Sequence, residues 1–157
     1  MYLVIKRILV AVAFIILIFA GYNFSINKER SIESEFSIDL FEEQIRSIDI
    51  VSTQNDEVKI ISLKEEKEVH DYLKILSGSR FTKKYISYKD NKEDIQSYDV
   101  SLTSYKRGTT FHLTVDQARG FYFDAGGKMK NSGKNYRLVD QLLFETTAKI
   151  MKENMTE

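Results

Sequence analysis

Hydrophobic and polar residues are arranged along this chain in three ways: one unbroken apolar run, several alternations of two, and two stripes of helical period. The unbroken run is Ile8–Phe24 (ILVAVAFIILIFAGYNF), which holds no charged residue in seventeen positions and comes directly after Lys6 and Arg7. As a helix it would be roughly 25 Å long at ~1.5 Å per residue. That is a little short of a ~30 Å hydrocarbon core. Leu3, Val4 and Ile5 extend it backwards, Lys6 and Arg7 can reach out to the headgroups, and Tyr2 and Tyr22 stand near its two ends. Residues 1–24 therefore read as an N-terminal transmembrane helix, a signal-anchor that meets the membrane through residues 3–24.

A cleaved signal peptide is the other reading of the same run. A cut after Ala20 puts Ile18 at the third position before it, and a cut after Gly21 puts Phe19 there; neither is small. A lipid-modified N-terminal cysteine is ruled out, because the chain has no cysteine. Lys28 and Arg30 beyond the run flank Glu29, so the positive-inside bias modestly favours a cytoplasmic N-terminus. Both readings deliver the rest of the chain outside the cytoplasm.

Residues 25–40 read as a polar linker. Ser25–Glu35 (SINKERSIESE) is charged and without period, a spacer lifting a domain off the membrane. Phe36–Ile45 is ambiguous: Asp39 followed by Glu42 would cap a short helix with Phe41 and Ile45 on one face. Residues 41–157 then read as a single extracytoplasmic domain. Ser47–Thr53 and Glu57–Leu63 are strands in which Ile48 and Ile50, then Val58 and Ile60, alternate with polar neighbours. Gln54-Asn55-Asp56 supplies turn chemistry for a hairpin between them.

The period then changes. Val69, Tyr72, Leu73 and Leu76 form one stripe of a helix, with Ser62 and Glu65 as a capping box and Gly78 to end it. From Arg80 the two-residue rhythm returns. Arg80–Tyr88 reads as a strand and Lys89–Asp94 as a charged loop. Tyr98, Val100 and Leu102 share one strand face, and Phe111, Leu113 and Val115 another, across a turn at Arg107-Gly108. Phe121 and Phe123 mark a strand bounded by Gly120 and Gly126-Gly127, and Tyr136 and Leu138 mark the next. A closing helix from about Asp140 carries the stripe Val139, Leu142, Leu143, Thr146 and Ile150. The predicted class is α+β: an antiparallel sheet of order β-β-α-β-β-β-β-β-α with its helices packed on one face, preceded by the transmembrane helix.

Charge adds little direction. The chain has 23 basic and 23 acidic residues, and without Lys6 and Arg7 the exported part carries 21 against 23. No strong field exists to gather nucleic acid, so nucleic acid is not an expected partner. Without cysteine an exported domain has to stand on its core alone. Proline and tryptophan are absent as well, and lysine, isoleucine and tyrosine are frequent, a usage typical of AT-rich bacteria.

Catalytic signatures are missing from the sequence. Two isolated histidines, His70 and His112, do not make a zinc site, which needs three or four convergent ligands. Asp90–Asp94 fails the calcium-loop pattern at Lys92 and lacks its glycine. Gly126-Gly127-Lys128 lacks the spacing of a phosphate loop, and no serine lies in a nucleophile elbow. No enzyme activity, cofactor or metal is expected on these grounds. The more suggestive feature is aromatic. Tyr122 points opposite to Phe121 and Phe123, Tyr85, Tyr88 and Tyr105 lie on or near other strands, and His112 alternates away from the core. These five residues are the candidate contact surface for a partner, set against the plainer reading that the rings fill sheet faces and cross-strand pairs.

From Tyr98 to Leu143 the chain resembles the YhfM-like domain of small exported proteins of bacilli. The resemblance rests on the Tyr98–Leu102 strand (YDVSL), the turn at Gly108, Phe111-His112-Leu113, Gly120–Phe123, and Tyr136-Arg137-Leu138 feeding the helix with Leu142 and Leu143. With the preceding hairpin and helix it spans about Arg46 to Ile150. Ser97 and Phe111-His112 stand where that pattern carries a proline and a tryptophan. The resemblance implies the architecture and an exported location, and it implies no active site. The leading expectation is a membrane-anchored extracytoplasmic module that binds or modulates an envelope protein or glycan. A small envelope hydrolase and an immunity or inhibitor protein are the alternatives.

Overall fold

The apolar run winds into one continuous helix, α1 (Tyr2–Asn27), in the computed structural model, which describes residues 2–54, 57–83, 95–106, 108–124 and 134–154. Its stretch Lys6–Asn27 is long and apolar enough to cross a membrane, and none of it is buried against the rest of the chain. Leu9, Phe14, Leu17 and Phe24 all stand exposed. A helix apolar all round and without protein neighbours has no stable place in water.

The segment after α1 is not a free linker. Ser31 and Ser34 cap each other, Ser31 Oγ accepting from the Ser34 amide and Ser34 Oγ from the Ser31 amide, and open a short helix, α2 (Ile32–Phe36). Ser37 closes it in the left-handed conformation with φ 57°. Ile32, Phe36, Ile38 and Leu40 are buried in the core, so the expected polar linker over 25–40 supplies part of the domain's interior. Beyond Phe36, which ends α2, the segment to Ile45 forms no helix; Asp39 Oδ1 accepts from the amide of Phe41 and turns the chain there.

Seven strands then form one antiparallel sheet: β1 (Ile45–Gln54), β2 (Glu57–Leu63), β3 (Phe81–Thr82), β4 (Ser97–Ser104), β5 (Thr110–Asp116), β6 (Gly120–Asp124) and β7 (Lys134–Leu138). Their spatial order is β2-β1-β4-β5-β6-β7-β3. Alternation places Ile50, Val100, Leu113 and Phe123 in one cross-strand row, and Ser52, Tyr98, Val115, Phe121 and Tyr136 in the next. All nine are buried. Onto this face pack α2, α3 (Glu66–Gly78) and α4 (Leu142–Glu153). The α+β class and the antiparallel sheet are as expected; the expected element order lacked α2.

Helix α3 buries Val69, Tyr72, Leu73 and Leu76, the stripe read from the sequence. Its cap differs. Glu65 is the N-cap and makes no side-chain cap bond, because Ser62 belongs to β2 and bonds Asp49 across the hairpin. Helix α4 is rotated from its expected stripe: it buries Leu143, Phe144, Thr147 and Met151 and leaves Leu142 exposed. Those four share one side of the helix and pack toward α3, β1, β4 and β5, where Tyr72 Oη meets Thr147 Oγ1 at 3.0 Å. On β2 it is Ile61 and Leu63 that face the helices, while Val58 and Ile60 point from the edge strand to the opposite face, 62% and 64% exposed. The strand expected over Arg80–Tyr88 is described only as far as Lys83; the expected loop Lys89–Asp94 and Gly126-Gly127 also lie outside the described residues.

The two sheet edges are unlike. The outer side of β3 is covered by the chain leaving α1: Arg30 and Phe81 exchange main-chain hydrogen bonds, and the Lys83 amide donates to the Ile26 carbonyl at 3.1 Å. Behind this seam Glu35 is 97% buried at its side chain and receives Arg30 Nη1 at 2.6 Å, Lys83 Nζ at 2.9 Å and Tyr136 Oη at 3.2 Å. Burial alone would raise the Glu35 carboxyl, but the hydrogen bonds and charges of Arg30 and Lys83 outweigh it and hold it below the usual glutamate range.

Candidate partner-binding groove

Three of the five residues singled out in the sequence are described, and they do not share one surface. His112 and Tyr122 stand on the sheet face away from the helices, in adjacent rows. One row runs Ser62, Asp49, Ser101, His112, Asp124; the other runs Ile60, Val51, Asp99, Thr114, Tyr122, Asn135. Tyr105 lies beyond the end of β4, 65% exposed, beside α3. Tyr85 and Tyr88 lie outside the described residues.

The open face is polar and self-satisfied. Thr114 Oγ1 donates to Asp99 Oδ1 at 2.6 Å, Ser62 Oγ donates to Asp49, and Ser101 Oγ lies 3.0 Å from His112 Nδ1. Serine, histidine and aspartate in one row are the residue types of a hydrolase, but their setting differs from one. The row is solvent-exposed on the sheet, and the amides of these strands are committed to the ladder, so no donors converge where an oxyanion would form. Among the described residues no three histidine or carboxylate groups gather to hold a metal.

The better candidate is a groove of about 450 Å³ at one end of the sheet, within the size range of ligand sites. One wall is α3, with Val69, Leu73 and His70; the other is the turn ahead of β1, with Phe41 and Gln44, and the start of β1, with Arg46. Tyr105 closes one end and Lys64 and Glu66 the rim. Phe41 is 44% exposed, and its ring lies 5.6 Å from that of His70. The Arg46 guanidinium sits 5.3 Å from the centre of the Tyr105 ring, a cation–π stack.

Local chemistry explains why the walls stand where they do. Gln44 is held at φ 52°, a conformation rare for a residue with a side chain, and its carbonyl accepts from the Tyr105 amide at 3.1 Å. The buried Ser104 hydroxyl donates to the Glu43 carbonyl at 2.7 Å. These two bonds pin the turn after Leu40 to the end of β4, which brings Phe41 and Tyr105 to one groove. The sequence singled out Tyr105 and not Phe41, Arg46, Lys64 or His70. Phe41 was the available signal, an aromatic residue between Leu40 and the acidic Glu42-Glu43, which the sequence pattern instead paired with Ile45 on a helix face.

The arrangement offers two aromatic rings, one stacked guanidinium and one imidazole over an apolar floor. Such a set recognises flat or carboxylate-bearing groups and places no nucleophile beside a base. Comparison with family models, with curated proteins and with solved structures found no match to this chain.

Proposed function

We propose that this chain is a membrane-anchored extracytoplasmic module of the cell envelope that binds or modulates a protein or glycan partner through the groove between Phe41, Arg46, His70 and Tyr105. The observation that carries the reading is α1, apolar and unburied, joined to a domain in which Phe41, Arg46, His70 and Tyr105 line one groove. The residue types there are those that dominate the centres of interfaces: tyrosine, phenylalanine and arginine. The resemblance to YhfM-like exported domains supports the same placement.

A photo-crosslinking side chain at Tyr105, in cells expressing the full chain, tests the reading. Irradiation and pull-down should recover one reproducible protein or glycan adduct, lost when Arg46→Glu is added and unchanged when Lys149→Glu is added. Recovery of background alone counts against the groove. A C-terminal tag that resists protease in cells stripped of their wall counts against the topology.

A further inference from the structure

The seam between α1 and the domain fixes the height at which the domain stands. The apolar run ends at Phe24, and α1 continues only to Asn27. Lys28 and Glu29 are the whole connection before Arg30, whose main chain is already paired with Phe81. From Phe24 to Asn27 the helix climbs ~4.5 Å, and the three residues to Arg30 span at most ~10 Å. The polar layer beyond the hydrocarbon is itself roughly 6 Å deep on each side of a bilayer. Closer still is Lys83, whose amide bonds the carbonyl of Ile26, two residues past the end of the apolar run.

We propose that the domain rests on the bilayer surface, with Lys28, Arg30 and Lys83 forming a basic foot against the phosphates of lipid headgroups. This rests on the reading of α1 as a membrane span. Lys28 is exposed and makes no ion pair among the described residues. Arg30 and Lys83 hold Glu35 between them, and Lys83 keeps about a third of its side chain exposed. Arg30 Nε is buried without a partner among the described residues. Three cations against Glu29 and Glu35 leave the foot net positive, the sign that lipid phosphates attract. A spacer would let the domain drift away from the surface; the Arg30–Phe81 seam removes that freedom.

The full chain has no cysteine, so a single introduced thiol carries a fluorophore at one known place. Labelled Thr82→Cys and Lys28→Cys proteins are reconstituted into vesicles of phosphatidylcholine and phosphatidylglycerol carrying a headgroup-attached spin-label quencher, and vesicles are floated to score insertion. Both labels should be strongly quenched, and adding Lys28→Glu should weaken the quenching at Thr82→Cys. Protein that floats with the vesicles while both labels stay bright overturns the resting foot and leaves the anchor intact. Quenching unchanged by Lys28→Glu overturns the basic contact. Protein that fails to float overturns the reading of α1 itself.

Discussion

Arg30 and Phe81 are paired through their main chains, each amide donating to the other's carbonyl, at 2.9 and 3.0 Å. That one bridge covers the β3 edge, lies beside the buried Glu35 and attaches the chain leaving α1 to the sheet. An uncovered edge strand is a template for unwanted pairing, and here the segment that follows α1 covers it.

The Phe81 ring is fully buried, stacked 5.1 Å from Phe121 and edge-on 4.8 Å from Tyr136. Phe81→Ala should cost about 3–5 kcal/mol. Phe81→Leu refills most of the volume and should cost well under half of that. Urea unfolding of the full chain in detergent micelles, followed by circular dichroism, orders the two.

Glu35 sets an acid limit on stability. Its folded pKa lies below the ordinary value, so the stabilisation it provides is complete above the unfolded pKa of ~4.3 and drains away as pH falls through the folded pKa. Glu35→Gln removes a proton-linked contact: the variant should be less stable at pH 7 and lose less on acidification. Melting temperatures between pH 7 and pH 3 should converge; parallel curves would show that Glu35 does not carry the linkage.

Tyr72 and Thr147 predict an asymmetry. Thr147 Oγ1 donates its only proton to the Leu143 carbonyl at 2.7 Å, so Tyr72 is the donor in the bond between the two hydroxyls. Complete burial also pushes the Tyr72 phenol well above its usual pKa, keeping that proton in place. Tyr72→Phe leaves the threonine satisfied and should cost about 1 kcal/mol, whereas Thr147→Val strands a buried phenol and should cost about 1–3 kcal/mol. A double-mutant cycle measured by urea unfolding reads the coupling directly.

Gly108 takes φ +59° in the turn between β4 and β5, with nothing within 4 Å of the place a Cβ would occupy. Gly108→Ala therefore pays only for backbone conformation, about 1–2 kcal/mol. Gly108→Asn, which tolerates the left-handed region better, should fall between the alanine variant and the parent chain in thermal melting.

Much of this architecture was legible one residue at a time. Strand faces such as Tyr98-Val100-Leu102 and Phe111-Leu113-Val115 repeat every two residues, and the α3 stripe every three or four, because burial on one side imposes the period. The errors fell where period gives no information. Helix α2 is a single turn held by Ser31 and Ser34, too short for a stripe to show, and Ile32 and Phe36 looked like lone apolar residues in a charged tract. Helix α4 carries a second set at helical spacing, Leu143, Phe144, Thr147 and Met151, so the pattern alone does not choose which side is buried.

The candidate surface divides in the same way. His112 and Tyr122 were correctly turned from the core by alternation, a local rule. Tyr105 meets Phe41, Arg46 and His70 only because the Gln44–Tyr105 and Glu43–Ser104 contacts fold the turn after Leu40 onto the end of β4. By itself the sequence determined an apolar span and a one-sided antiparallel sheet, since transfer of oily side chains from water depends on local pattern. Which groups meet in the groove and at the foot of α1 was left to tertiary structure, because hydrogen bonds between distant residues carry no periodic trace along the chain.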